Sequence, residues 1–164
     1  MRNLDKSLRS LYKSDKKSSD EFANIRGKHL TVDKSTMLDQ FEMNLQSFIY
    51  LCKARNIVPV LMTMPSRFKE KPDQIILDTF KNVSLDYSQF RELFYLFNNS
   101  ILKKAHENNM MVIDLAKEIP QESEFMCDVV HYTDKGARKI ADIISGRLKP
   151  VVNTLIKQHA LQVH

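Results

Sequence analysis

The chain has 164 residues, 43% of them hydrophobic and 27% charged, enough for one ordinary globular domain and short for two. Only three glycines occur, Gly27, Gly136 and Gly146, where average usage gives about eleven. Neither a GxGxxG nor a GxxxxGK phosphate loop can be written with them, and a hairpin-rich β-barrel or sandwich is disfavoured. The net charge of +5 is concentrated at the start: residues 1–36 hold nine Lys/Arg against five Asp/Glu, so the folded part offers no basic face and nucleic acid is not an expected partner. Two cysteines, Cys52 and Cys127, cannot build a disulfide framework or a four-thiolate zinc site.

Residues 1–36 read as a basic, polar leader, solvated and partly disordered, ahead of a folded part from 37 to 164. Met1 to Lys17 is charged throughout and carries no apolar stretch, so it does not read as a signal peptide. The cytoplasm is then the default compartment, with an exported parent protein as the alternative. No window approaches the roughly 18 uninterrupted apolar residues of a membrane span.

The first periodic segment is Met37 to Arg55. Met37, Phe41, Leu45, Phe48, Ile49 and Cys52 recur at three- and four-residue steps and predict one buried helix face. Asp33 or Ser35 is the expected N-cap and Asn56 the stop. Ile57 to Thr63 is short and continuously apolar, which predicts a parallel strand buried on both faces, with Pro59 near its start and Pro65 closing it. A connection over 66–88 contains one short helical stretch, Ile75 to Phe80. A long helix follows over Gln89 to Asn108, with Phe90, Leu93, Phe94, Phe97, Ile101, Leu102 and Ala105 inward. Met110 to Leu115 is the second strand, and its methionines, with Met62 and Met64, read as core filler. A polar loop, Lys117 to His131, leads to a last helical region from Thr133, which Pro150 is expected to break or kink.

This order is a helix-rich α/β arrangement around a parallel sheet. Only two strands are legible, where sheets of this kind commonly carry about five. The expectation is a partial sheet, part of a larger fold.

The segment that carries chemistry is Asp128-Val129-Val130-His131, followed by Gly136. A carboxylate three residues before a histidine in a loop can fix the ring tautomer and stabilise the imidazolium. With glycine required five residues after the histidine, composition alone gives fewer than about 0.01 occurrences. A structural reading competes with it: the pair satisfies backbone groups, with Thr133 or Asp134 as a helix cap. His106-Glu107-Asn108-Asn109-Met110 begins like a zinc-protease motif but has Met where the second histidine belongs, so no metal is expected. Cys127 is a nearby nucleophile in sequence, but its carboxylate neighbour works against a thiolate.

The run HYTDKGARKIAD, which carries His131, Gly136 and Ala141 and has Asp128 ahead of it, resembles the last conserved block of the GDSL/SGNH hydrolases. The order helix, strand ending VLMTMP, long helix, strand MMVIDL and loop is similar to the later half of that family, over roughly residues 37–149. The resemblance implies a three-layer, flavodoxin-like parallel sheet and a serine esterase, lipase, acetylhydrolase or acyltransferase acting on a small acyl ester. His131 would be the general base and Asp128 its orienting acid; no cofactor is implied. The family's Gly-Asp-Ser block is absent, so the nucleophile has no assignment. Ser14, Ser18 and Ser19 lack the strand and glycine that would present them. Asn3 is the one candidate remnant of the oxyanion-hole block. Missing strands and missing blocks agree, and both predict the C-terminal portion of such a hydrolase, weak or inactive alone, with a complementing N-terminal half or a second copy as partner. The competing class is a non-catalytic interaction module or pseudoenzyme that binds through an open sheet edge.

Overall fold

The computed structural model describes residues 33–81 and 86–162. Residues 1–32 of the basic leader, with Asn3, Gly27 and the early serines, lie outside the described residues, while Lys34, Ser35 and Thr36 at its end already belong to the first helix. The chain is a helix-rich α/β protein: α1 Lys34–Ala54, β1 Val60–Met62, α2 Gln74–Phe80, α3 Tyr87–Glu107, β2 Met111–Ile113, α4 Leu115–Glu118 and α5 Asp134–Gln162. Strands β1 and β2 are parallel, with Val60 opposite Met111, Leu61 opposite Val112 and Met62 opposite Ile113.

Each long helix starts and stops on legible chemistry. Asp33 caps α1 by accepting from the Thr36 amide at 3.1 Å. Asp86 caps α3 in a capping box with Gln89. Both helices then end on an asparagine with positive φ, Asn56 at 54° and Asn109 at 52°. Asparagine tolerates this left-handed conformation, which turns the chain out of the helix toward the strand that follows. The amides of Ile57 and Met110 reach back to the carbonyls of Cys52 and Ala105 at 2.9 and 2.8 Å.

The main core is Ile49, Leu61 and Ala105, with Leu45, Ile101, Met110 and Val112 packed against it. Helices α1 and α3 therefore cover the Leu61 side of the strand pair. They are also tied along their length, by Glu42 with Ser100 and Lys103 and by the reciprocal amide pair Gln46 and Asn108. A second cluster centres on Phe68, fully buried among Phe80, Tyr87, Phe90 and Phe94 with ring centroids 5.3–6.1 Å away. It anchors the connection that leaves β1. Asn98 extends that anchoring: its side chain accepts from the Met64 amide and donates to the Met64 carbonyl, both at 2.9 Å. Asn98→Ala removes both bonds and is expected to cost about 1–3 kcal/mol, read by urea unfolding.

Several sequence expectations are corrected. Among the described residues strand β1 is covered on the Leu61 face, and Met62 on its other face is exposed, as is Met64 beyond its end, so neither methionine is core filler. Met37 and Phe48, expected on the buried face of α1, are also exposed. The second strand ends at Ile113, and Leu115 begins α4. The Thr63 hydroxyl causes that change, donating to Asp114 at 2.7 Å and accepting the Ala116 amide at 2.9 Å, which caps a helical turn where the apolar run predicted strand. Pro150 does not break the last helix, which runs from Asp134 to Gln162 around it. The carbonyl it leaves without an amide belongs to Gly146, on an exposed stretch where water can take it. Among the described residues no helix is long and apolar enough to cross a membrane.

Candidate active site

After α4 the chain forms a small hairpin. Met126, fully buried, bridges Tyr132 in antiparallel fashion, and the Cys127 amide donates to the His131 carbonyl at 2.8 Å. Inside this hairpin Asp128 folds a tight turn: its Oδ1 accepts the Val130 and His131 amides, both at 2.9 Å. That leaves Oδ2 for the imidazole, and His131 Nδ1 lies 2.7 Å from it. The three-residue spacing is thus what lets one carboxylate fix both the turn and the ring.

The hairpin passes directly into α5. Thr133 is the cap: its hydroxyl accepts the Gly136 amide at 3.1 Å and its carbonyl accepts the first helical amide, from Ala137, at 2.8 Å. Gly136 lies against the backbone of Phe125, where a Cβ would fall 2.0 Å from the Phe125 carbonyl oxygen. The glycine five residues after the histidine is therefore a packing requirement of the hairpin–helix junction. Arg67, buried on the connection after β1, donates its amide to the Val129 carbonyl at 2.9 Å and so brings the C-terminal end of β1 to the hairpin.

The His131 side chain is 77% exposed and that of Asp128 40%. Partial burial pushes the Asp128 carboxyl up, but its bonds from the two amides and the imidazole outweigh this and hold it below the ordinary value of 3.8. A group whose folded value is depressed stabilises the fold fully above its unfolded value and loses that contribution as pH falls through the folded value. Asp128→Asn is therefore expected to be less stable than the parent at about pH 7, with the gap narrowing below 3.8. Chemical denaturation of both proteins at about pH 7 and about pH 2.5 reads the two gaps.

The structure brings Asp128 and His131 together; among the described residues no serine bonds either of them. Among the described residues no group bonds His131 Nε2, and no cluster of His, Cys, Asp or Glu has the geometry of a metal site. Cys127 is exposed and its thiol points to the Tyr132 carbonyl at 3.5 Å. Asn3 lies outside the described residues. Arg67 was not legible as a site neighbour, because no periodicity marks a single buried arginine in a connection. No family model matches the sequence, and neither the curated proteins nor the solved structures contain a significant match.

Proposed function

We propose that this chain carries the general base and orienting acid of a serine-dependent acyl-ester hydrolase of the GDSL/SGNH type. The observation behind the reading is the 2.7 Å contact of His131 Nδ1 with Asp128, made while the ring stays open to solvent. With the Nδ1 proton held toward Asp128, the neutral ring turns a lone pair outward on Nε2. A serine hydroxyl presented there would give its proton to Nε2 as its oxygen attacks an ester carbonyl. The imidazolium, held by Asp128, would return the proton to the leaving alkoxide, and water would repeat the sequence on the acyl-enzyme. The serine and the oxyanion donors would come from a further segment. In the fold that goes with this reading, β1 and β2 are the last strands of a three-layer parallel sheet.

The test is a fusion of the full chain to an N-terminal segment bearing a strand and a Gly-Asp-Ser block, assayed on p-nitrophenyl acetate and with a fluorophosphonate probe. The chain alone should give no covalent adduct, because its sequence holds no Gly-Asp-Ser block to present a nucleophile beside oxyanion donors. The fusion should react, and His131→Ala within it should lower kcat by up to about 10⁶-fold, the loss that follows removal of the base from a serine triad. A folded, active fusion indifferent to His131→Ala would sink the reading.

One observation favours a second reading, a non-catalytic interaction module. Among the described residues β1 pairs with β2 alone, and Met62 on it, with Ile57 and Val58 just before it, stands exposed. Parallel sheets are ordinarily covered on both faces. Self-association in sedimentation equilibrium, abolished by Met62→Lys, would favour this module over the hydrolase; a monomer would count against it.

A further inference from the structure

Arg67 is 6% exposed, in a connection between strands, and its guanidinium is committed to two elements. Nη2 pairs with Asp73, which heads α2 and makes no side-chain cap bond to its own helix. Nη1 donates to the Met126 carbonyl at 3.4 Å, at the base of the hairpin, while the Arg67 amide holds the Val129 carbonyl at its tip. The remaining donor, Nε, is buried with no partner among the described residues. Burying a guanidinium with one donor unpaired costs stability, and what the residue secures is position. We propose that Arg67 is a positioning residue for the Asp128–His131 pair, clamping both ends of the hairpin that presents it and anchoring that clamp on Asp73.

This inference rests on the hydrolase reading for its functional meaning, but its test needs no activity. The full chain, carrying ¹³C-carboxyl aspartate, is titrated to follow Asp128, and the His131 ring nitrogens are followed by ¹⁵N NMR. With the clamp loosened, the amides and the imidazole leave the carboxylate, so Asp128 should titrate at higher pH and the Nδ1-protonated signature of His131 should be lost. Arg67→Met and Arg67→Lys are both expected to do this. Lysine keeps the charge but cannot reach Asp73 and Met126 together.

A shift in Arg67→Met alone would mean that charge, not geometry, acts on Asp128, and would overturn the proposal. So would wild-type titration in both folded variants. If neither variant folds, Asp73→Asn decides, since it frees the anchor and keeps the arginine: a raised midpoint supports the clamp and an unchanged one removes it. A fusion that stays inactive while Arg67→Lys still moves Asp128 would defeat the hydrolase reading and leave the clamp standing.

Discussion

Phe68→Ala is expected to lower the unfolding free energy by about 3–5 kcal/mol, the largest effect of any single truncation proposed here. Phe68 is fully buried and touches four other rings, from the end of α2 (Phe80) and from the first two turns of α3 (Tyr87, Phe90 and Phe94). Its ring is therefore the common wall of the connection, α2 and α3. Removing it leaves a cavity bounded by rigid aromatic side chains, which collapse poorly into the space. A loss of that size is a large part of the roughly 5–15 kcal/mol that holds a domain folded. Guanidinium unfolding followed by far-ultraviolet circular dichroism measures it. Phe68→Leu, which keeps most of the apolar volume, should recover more than half of the loss. Equal losses in the two variants would mean that the aromatic cluster does not work as a packed unit.

Gly136→Ala is expected to destabilise the chain by about 3 kcal/mol, and its control is the same substitution ten residues along the same helix. In a helix, alanine is ordinarily better than glycine by about 1 kcal/mol. At Gly146 nothing lies within 4 Å of a new Cβ, so Gly146→Ala should raise stability by about 0.5–1 kcal/mol. At Gly136 the new methyl meets the Phe125 carbonyl oxygen at 2.0 Å and its carbon at 2.9 Å, both backbone atoms that cannot swing aside. That same carbonyl accepts the Thr133 amide at 3.0 Å, so any retreat pulls on the cap of α5. Either the helix or the hairpin must move, and the overpacking cost outweighs the propensity gain. The prediction has a local signature as well. The amides of Val130 and His131 should change chemical shift in Gly136→Ala and stay unchanged in Gly146→Ala. Opposite signs at two glycines of one helix are hard to obtain from propensity alone, and matching signs would refute the packing account.

At the hairpin junction the candidate site and the packing of the chain share residues. Asp128 orients His131 and also closes the turn that carries it; Gly136 has no chemistry but sets how closely α5 approaches the hairpin. Substitutions there will disturb the imidazole even when they touch nothing catalytic. The Asp128→Asn and Arg67→Lys experiments separate these effects, because the first removes a charge from the pair while the second keeps charge and alters only reach.

Much of the site was written in local spacing. An aspartate three residues ahead of a histidine is within reach of one turn, so the 2.7 Å contact between Asp128 and His131 needed no long-range information. The helices over 34–54 and 87–107 were equally legible from apolar positions at three- and four-residue steps, and the first also from its aspartate cap and asparagine stop, signals that act within a few residues; the Asp86 cap of the second was not read. The parallel pair followed from two short apolar runs separated by a long helix, since a parallel connection requires such a crossover.

What local sequence could not determine were the outcomes that depend on a neighbour distant along the chain. Leu115 continues an apolar run and became helical because Thr63, just past the end of the adjacent strand, capped the turn. Met62 sits in an apolar run like a buried strand residue, yet its exposure depends on whether another layer covers that face. The need for glycine at 136 comes from the backbone of Phe125, eleven residues away, and the burial of Arg67 comes from Asp73 and Met126 closing around it. Periodicity, caps and turn chemistry are properties of a few consecutive residues, so the sequence alone determined the elements and the Asp128–His131 pair. Burial, close approach and ionic anchoring are properties of two segments meeting, and those only the tertiary structure could decide.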